Sequence, residues 1–259
     1  TILNTLGLET TALGFIAGFT GKAIEDGLAS QGIHTDFIHL PEGNSRINVK
    51  VKHGDETEIN GQGPVITDEA INGLFAKLDT LTKEDILVLA GSIPNTLPED
   101  IYEKILARLE SKGIRIVVDA TKDLLLNVLK YHPFLIKPNN HELGEMFGTV
   151  CKTDEDIIHY AKKLQEMGAV NVLISMAGDG AILITEDGQN IKMGTPKGKV
   201  VNSVGAGDSM VAGFVAGYLR GGSYEEALKS GTAAGSATAF SEGLASLEMY
   251  EKMLKQISE

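Results

Sequence analysis

The sequence predicts an α/β fold built on a mostly parallel central sheet, and three observations carry that expectation. The runs Asp85-Ile-Leu-Val-Leu-Ala90, Ile114-Arg-Ile-Val-Val-Asp119 and Val170-Asn-Val-Leu-Ile-Ser175 are of strand length and almost continuously apolar, as strands covered on both faces must be. Helix-length segments alternate with them, which is the grammar of βαβ units. Thirty glycines in 259 residues supply the tight turns such units need. No repeat or low-complexity linker interrupts the pattern, and 259 residues permit one large α/β domain or two small ones.

In chain order, Thr1-Ile-Leu-Asn-Thr-Leu-Gly7 resembles the last turns of a helix closed by glycine. The chain therefore reads as beginning inside a domain. Ala12–Gly18 reads as a buried strand, Gly21–Ser30 as a helix and Phe37–Leu40 as a strand. The strand Asp85–Ala90 precedes a helix over Pro98–Ser111, and Ile114–Asp119 precedes one running through Leu129. Phe134–Lys137 reads as a further strand, Glu142–Phe147 and Asp154–Met167 as helices, and Ala181–Thr185 with Asn190–Met193 as a hairpin. Helices at Gly207–Leu219, Tyr224–Phe240 and Leu247–Ile257 complete the chain. One region departs from the alternation: Ser45–Val51 and a return through Ile59 describe a small antiparallel flap, with Arg46, Asn48 and Lys50 on one face.

With 23 basic against 35 acidic residues the net charge is −12, which disfavours nucleic acid and anionic membranes as partners. No run approaches the ~20 apolar residues of a membrane helix. The single cysteine, Cys151, excludes an intramolecular disulfide framework, and a reducing cytoplasm is the expected compartment. A small anionic substrate must then be captured by a few placed cations.

The segment Asn202-Ser-Val-Gly-Ala-Gly-Asp208 carries the most chemistry. Free N–H groups at Gly205, Ala206 and Gly207, with the positive end of the following helix, form an anion site. Asp208 faces that site. A carboxylate aimed at a bound anion disfavours simple binding and suits a proton acceptor for an attacking hydroxyl. On this segment alone, an ordinary glycine turn with an N-terminal helix aspartate reads equally well. A dinucleotide loop fits worse, because Met210 stands where its third glycine belongs.

Taken with Lys137-Pro-Asn-Asn-His-Glu142, Leu89-Ala-Gly-Ser-Ile-Pro94 and Ser45-Arg-Ile-Asn-Val-Lys50, the segment resembles the ribokinase-like PfkB sugar kinases, nearest to their 1-phosphofructokinase and tagatose-6-phosphate kinase branch. The resemblance implies a single three-layer α/β/α domain over residues 1–259, with a small antiparallel β lid over about residues 34–63. It also implies that the family's opening strand and substrate-gripping glycine turn lie upstream of Thr1. ATP and Mg²⁺ are the implied cofactor and metal. Asp208 becomes the general base, with the amides of Gly205, Ala206 and Gly207 stabilising the transferring phosphoryl group. Asn139 and Glu142 match the Asn-x-x-Glu motif that holds hydrated Mg²⁺, although the same pair also reads as a helix capping box.

Lys137, Ser175, Gly178, Gly180, Thr232, Gly235 and Ser236 are implied to line the nucleotide, with close helix packing as the other reading of Gly231–Ser236. Arg46 is implied to bind the existing phosphate of the sugar, Asn48 to orient a hydroxyl, and Ser92 and Lys50 to face the same substrate. Ala177 stands where the family's nucleotide turn usually has glycine. The implied reaction takes fructose 1-phosphate to fructose 1,6-bisphosphate. Tagatose 6-phosphate is the alternative substrate, and a non-catalytic sugar-phosphate-binding regulator is the alternative class. Association of two copies through the lid is the expected assembly.

Overall fold

The computed structural model describes residues 1–52, 56–91 and 93–258, and the side chains of these except at 50, 52 and 56–58. Six strands form the main sheet in the order β12-β11-β10-β9-β8-β7. The strands β7 (Ile86–Ala90), β8 (Arg115–Asp119), β9 (Leu135–Ile136) and β10 (Asn171–Ser175) are parallel, and β11 (Ala181–Ile184) and β12 (Asn190–Met193) close one edge as an antiparallel hairpin.

Alternation along these strands divides the core into two layers. Ile116, Val118, Ile136, Val172, Ile174, Ile182 and Ile184 face one side. There they pack on α3 (Asp68–Leu78), α4 (Ile101–Leu109), α5 (Lys122–Val128), α6 (Asn140–Met146) and α7 (Asp154–Glu166). Val117, Leu135, Leu173 and Leu183 face the other side, against α8 (Ala206–Gly221) and α9 (Tyr224–Ala239). A further cluster joins α8 and α9 to α1 (Ile2–Thr5) and α10 (Leu247–Ser258) through Ile2, Leu6, Ala216, Ala233, Tyr250 and Met253. The result is the α/β/α sandwich the apolar runs predict.

Before this sheet come two short parallel pairs. β1 (Thr11–Ala12) pairs with β3 (His34–Thr35), and β2 (Phe15–Ala17) pairs with β4 (Ile38–Leu40), with α2 (Gly18–Ser30) crossing between them. The expected single strand over residues 12–18 is thus divided at Leu13-Gly14. The flap is present as β5 (Asn48–Lys52) and β6 (Glu56–Asn60), with Val49 opposite Ile59; of the turn expected at His53–Glu56, residues 53–55 lie outside the described residues and Glu56 already belongs to β6. Helix α3 was not among the sequence expectations. It is nonetheless well specified: Thr67 Oγ1 accepts from Ala70 N–H, Asp68 and Glu69 occupy its first turn, and Ile71, Leu74 and Leu78 are buried.

Helices α8 and α9 approach unusually closely. A Cβ built on Gly213 would stand 2.5 Å from Ser230 O and 2.6 Å from the Ala234 Cβ, so only hydrogen fits there. The helix gives up local propensity at this glycine for close packing.

Candidate active site

The carboxyl ends of the parallel strands, where sheet and helix N-termini meet, collect the chemistry, as expected of an open α/β sheet. Strand β8 ends in Asp119. One strand across, β9 leads directly into Lys137, and the register Val118 to Ile136 sets these two side chains side by side. Lys137 Nζ lies 3.2 Å from Asp119 Oδ1, with side chains only 8% and 18% exposed. Burial pushes the Asp119 carboxyl above its ordinary pKa; the Lys137 ammonium opposes that shift, while Asp208 and Glu142 reinforce it. One ammonium therefore sits among three carboxylates.

The same ammonium borders the anion turn. Gly205 is the N-cap of α8 in the left-handed conformation, φ 79°, which a side chain would oppose. A Cβ on Gly207 would meet Lys137 Nζ at 3.2 Å, so glycine there lets the cation approach the amide nest. Asp208 occupies the first turn of α8 and is exposed. It lines a cavity of about 240 Å³ together with Asp119, Val88 and Ala90. The turn is tied down behind this site: Val201 and Asn202 donate their N–H groups to Ala239 O, and Asn202 Oδ1 accepts from Val204 N–H at 3.2 Å.

Asn139 and Glu142 form a complete capping box on α6. Asn139 Oδ1 accepts from His141 and Glu142 N–H at 2.9 and 2.8 Å, and Glu142 Oε2 accepts from Asn139 N–H at 2.7 Å. The box fixes the Glu142 carboxylate in place and leaves Oε1 outside it. Among the described residues no group of three or more His, Cys, Asp or Glu side chains could hold a metal ion. A hydrated cation held by one carboxylate, water and substrate phosphates is compatible with that arrangement, and the local excess of negative charge favours a cation.

A second cleft, of about 1000 Å³, opens from Lys137, Ala206 and Gly207 towards α9 and the loop after β12. This arrangement sets an anion cradle on the wall of a cleft of mixed polar and apolar lining, with the Asp208 carboxylate in the neighbouring smaller cavity. Residues 1–249 match the pfkB family of carbohydrate kinases. The chain belongs to that family.

Relatives within and beside the family are close. The 1-phosphofructokinase of Bacillus subtilis is 50% identical over 99% of this chain and 84% of its own length. The D-tagatose-1-phosphate kinase of Bacillus licheniformis is 39% identical over 99% and 84%. Among solved structures, phosphofructokinase-2 of Escherichia coli, crystallised with potassium, superposes with a TM-score of 0.91 at 25% identity, covering 100% of this chain and 85% of that one.

Of the nucleotide residues expected in this pfkB chain, Lys137, Ser175, Gly178, Gly235 and Ser236 line the large cleft, as do Asn139, Ala206 and Gly207. Two others do not. Thr232 is fully buried, and its Oγ1 has no hydrogen-bond partner among the described residues. Gly180 has φ 94°, and a Cβ there would fall 2.0 Å from Met193 O, so it shapes the turn into β11. Ala177, where glycine is usual, adopts φ 47°: the left-handed conformation is kept despite the methyl group. Sequence reasoning passed over Met176, Pro196, Lys197, Val200, Ala239 and Phe240, which line the same cleft.

On the acceptor side, Asn48 Oδ1 accepts from Gly61 N–H at 3.2 Å, bridging the two flap strands at their base. The Arg46 Cβ packs against Gly61 and Gly63. Lys50 sits within β5, with its side chain outside the described set, and Ser92 lies outside the described residues altogether. The turn preceding Ser92 is held by Tyr102, whose hydroxyl donates to Ala90 O at 2.9 Å; burial pushes its pKa up to about 12, so it remains a donor.

Proposed function

We propose that this chain transfers the γ-phosphoryl group of ATP to the 6-hydroxyl of fructose 1-phosphate, giving fructose 1,6-bisphosphate. The observation that carries the reading is the placement of Asp208 in the first turn of α8, beside an amide nest that the buried Lys137 ammonium borders. In-line transfer needs an acceptor for the hydroxyl proton and fixed positive charge for the phosphoryl oxygens, and little covalent chemistry. Asp208 accepts the proton as the hydroxyl oxygen attacks. The N–H groups of Gly205, Ala206 and Gly207, with Lys137, stabilise the charge on the transferring group.

The groove lined by Ser175, Gly178, Gly235 and Ser236 holds the nucleotide. Arg46, Asn48, Lys50 and Ser92 receive the sugar phosphate, with the Arg46 guanidinium on the existing phosphate. Mg²⁺, when bound, neutralises the ATP phosphates, and Glu142 with Asn139 is the pair that would hold its hydration shell. The whole chain acts as one kinase domain with the flap as lid, in the cytoplasm. Two copies associate through the flap, whose Ile47, Val49, Val51 and Ile59 are exposed apolar side chains. No helix of the described residues is long and apolar enough to cross a membrane.

A second substrate has specific support. The relative from Bacillus licheniformis carries D-tagatose 1-phosphate in its name, which moves the bound phosphate to C1 from the C6 position of the tagatose 6-phosphate alternative. Tagatose differs from fructose only at C4, so one pocket can take both 1-phosphates. A regulator that only binds sugar phosphate is disfavoured, because a carboxylate between two anions weakens binding and serves only transfer.

The test is Asp208→Asn. Removing the acceptor while keeping the shape lowers kcat by about 10²- to 10⁴-fold, with ATP affinity retained. Turnover within a few-fold of the parent enzyme would remove Asp208 from the role of base.

A further inference from the structure

The flap's ascending strand is entered through Asn44-Ser45-Arg46, and Ser45 is fastened to the β2–α2 junction. Ser45 N–H donates to Ala17 O at 2.9 Å, Ala17 N–H donates to Ser45 Oγ at 3.0 Å, and Thr20 Oγ1 donates to Ser45 O at 2.9 Å. Asn44 Oδ1 accepts from Phe19 N–H at 3.2 Å in the first turn of α2. The seat is tight, since a Cβ at Gly21 would stand 2.9 Å from Ser45 Oγ.

The Thr20 bond has a particular geometry. Ser45 O belongs to the peptide unit whose nitrogen is that of Arg46. Because a peptide unit is planar, fixing that carbonyl fixes the N–Cα bond about which Arg46 turns. On the other side the Arg46 Cβ lies 3.3 Å from where a Gly61 Cβ would be. An isolated two-stranded ribbon is marginally stable, so the direction of a side chain at its base depends on such anchors. A guanidinium that grips phosphate through two parallel bonds demands that direction.

We propose that Thr20, acting through Ser45, is a positioning residue that aims Arg46 at the existing phosphate of the sugar; this rests on the reading of Arg46 given above. Thr20→Val keeps the shape and removes the donor, whereas Thr20→Ser keeps the donor. Michaelis constants for fructose 1-phosphate and for ATP are measured on these two variants, on Arg46→Ala and on the Thr20→Val/Arg46→Ala double variant.

The expected result is a rise of about 3- to 10-fold in the sugar-phosphate KM for Thr20→Val, with the ATP KM unmoved and Thr20→Ser near the parent. In the Arg46→Ala background Thr20→Val adds little, as two residues acting through one contact must. A Thr20→Val enzyme with unchanged sugar-phosphate KM, beside an impaired Arg46→Ala enzyme, overturns the clamp alone. So does a full additional loss in the double variant, or a parallel rise in the ATP KM. An unchanged sugar-phosphate KM in Arg46→Ala overturns the arginine assignment, and the clamp with it.

Discussion

Lys137 and Asp119 show how the same residues read differently before and after the sheet order is known. Each closes a strand-length apolar run, and in sequence alone a strand-end lysine or aspartate is most simply a surface residue. The parallel pairing of β8 with β9 makes them neighbours, burying Lys137 and leaving Asp119 only partly exposed. Asp119, which in the sequence only closes the strand Ile114–Asp119, then becomes the counter-charge of the cation at the anion turn. Its raised pKa has a sign that can be followed. The folded protein holds this proton to higher pH than the unfolded chain does, so the group's contribution to stability is present below the ordinary aspartate value of 3.8 and is lost as pH rises through the elevated folded value. Asp119→Asn removes that titration: the decline of unfolding free energy with pH above 3.8 should be shallower than in the parent. Urea unfolding at a series of pH values measures it, and an unaltered slope would show that Asp119 titrates as in the unfolded chain. Asn139 and Glu142 were legible at once, because a capping box is a contact between residues three apart and needs no knowledge of tertiary structure.

At the level of elements, periodicity located the strands and helices well and failed where partners decide. Helix α3 was expressible from Thr67-Asp68-Glu69 and the spacing Ile71, Leu74, Leu78, yet those cues are short and follow directly on the flap. Gly231–Ser236 carried two readings, and the helix divides them along its length, not by face. Thr232 is wholly buried in the packing, whereas Gly235 and Ser236, one turn further along the same face, line the cleft. Loop residues such as Lys197 and Val200 had no pattern to mark them, since a cleft wall made by a loop is defined only once the loop is placed. The close approach of α8 and α9 yields its own prediction. Gly213→Ala forces a methyl group against Ser230 O and the Ala234 Cβ, overpacking that costs about 1–3 kcal/mol. The thermal midpoint should fall by roughly 2–10 °C, read by calorimetry, and a midpoint equal to the parent's would mean that the two helices separate without cost.

Over the whole molecule, the −12 net charge gives no general attraction for an anionic substrate, so capture falls to a few cations at fixed places. The α/β/α sandwich supplies those places where strand ends and helix N-termini meet, and the flap supplies others from outside the main sheet. The two-sided apolar strands made this architecture legible, whereas the relation of flap to sheet depends on the Ser45 and Ala17 contacts, which no local pattern announces. Both sets of cations serve the proposed transfer of a phosphoryl group from ATP to a ketohexose 1-phosphate. The most direct measurement follows ADP formation with fructose 1-phosphate, tagatose 1-phosphate, tagatose 6-phosphate, fructose 6-phosphate and free fructose, and locates the new phosphate by phosphorus NMR. The expected outcome is the highest kcat/KM for fructose 1-phosphate, a new phosphate at C6 and turnover of tagatose 1-phosphate as second substrate. Turnover confined to unphosphorylated sugar, or a preference for a 6-phosphate, would contradict it.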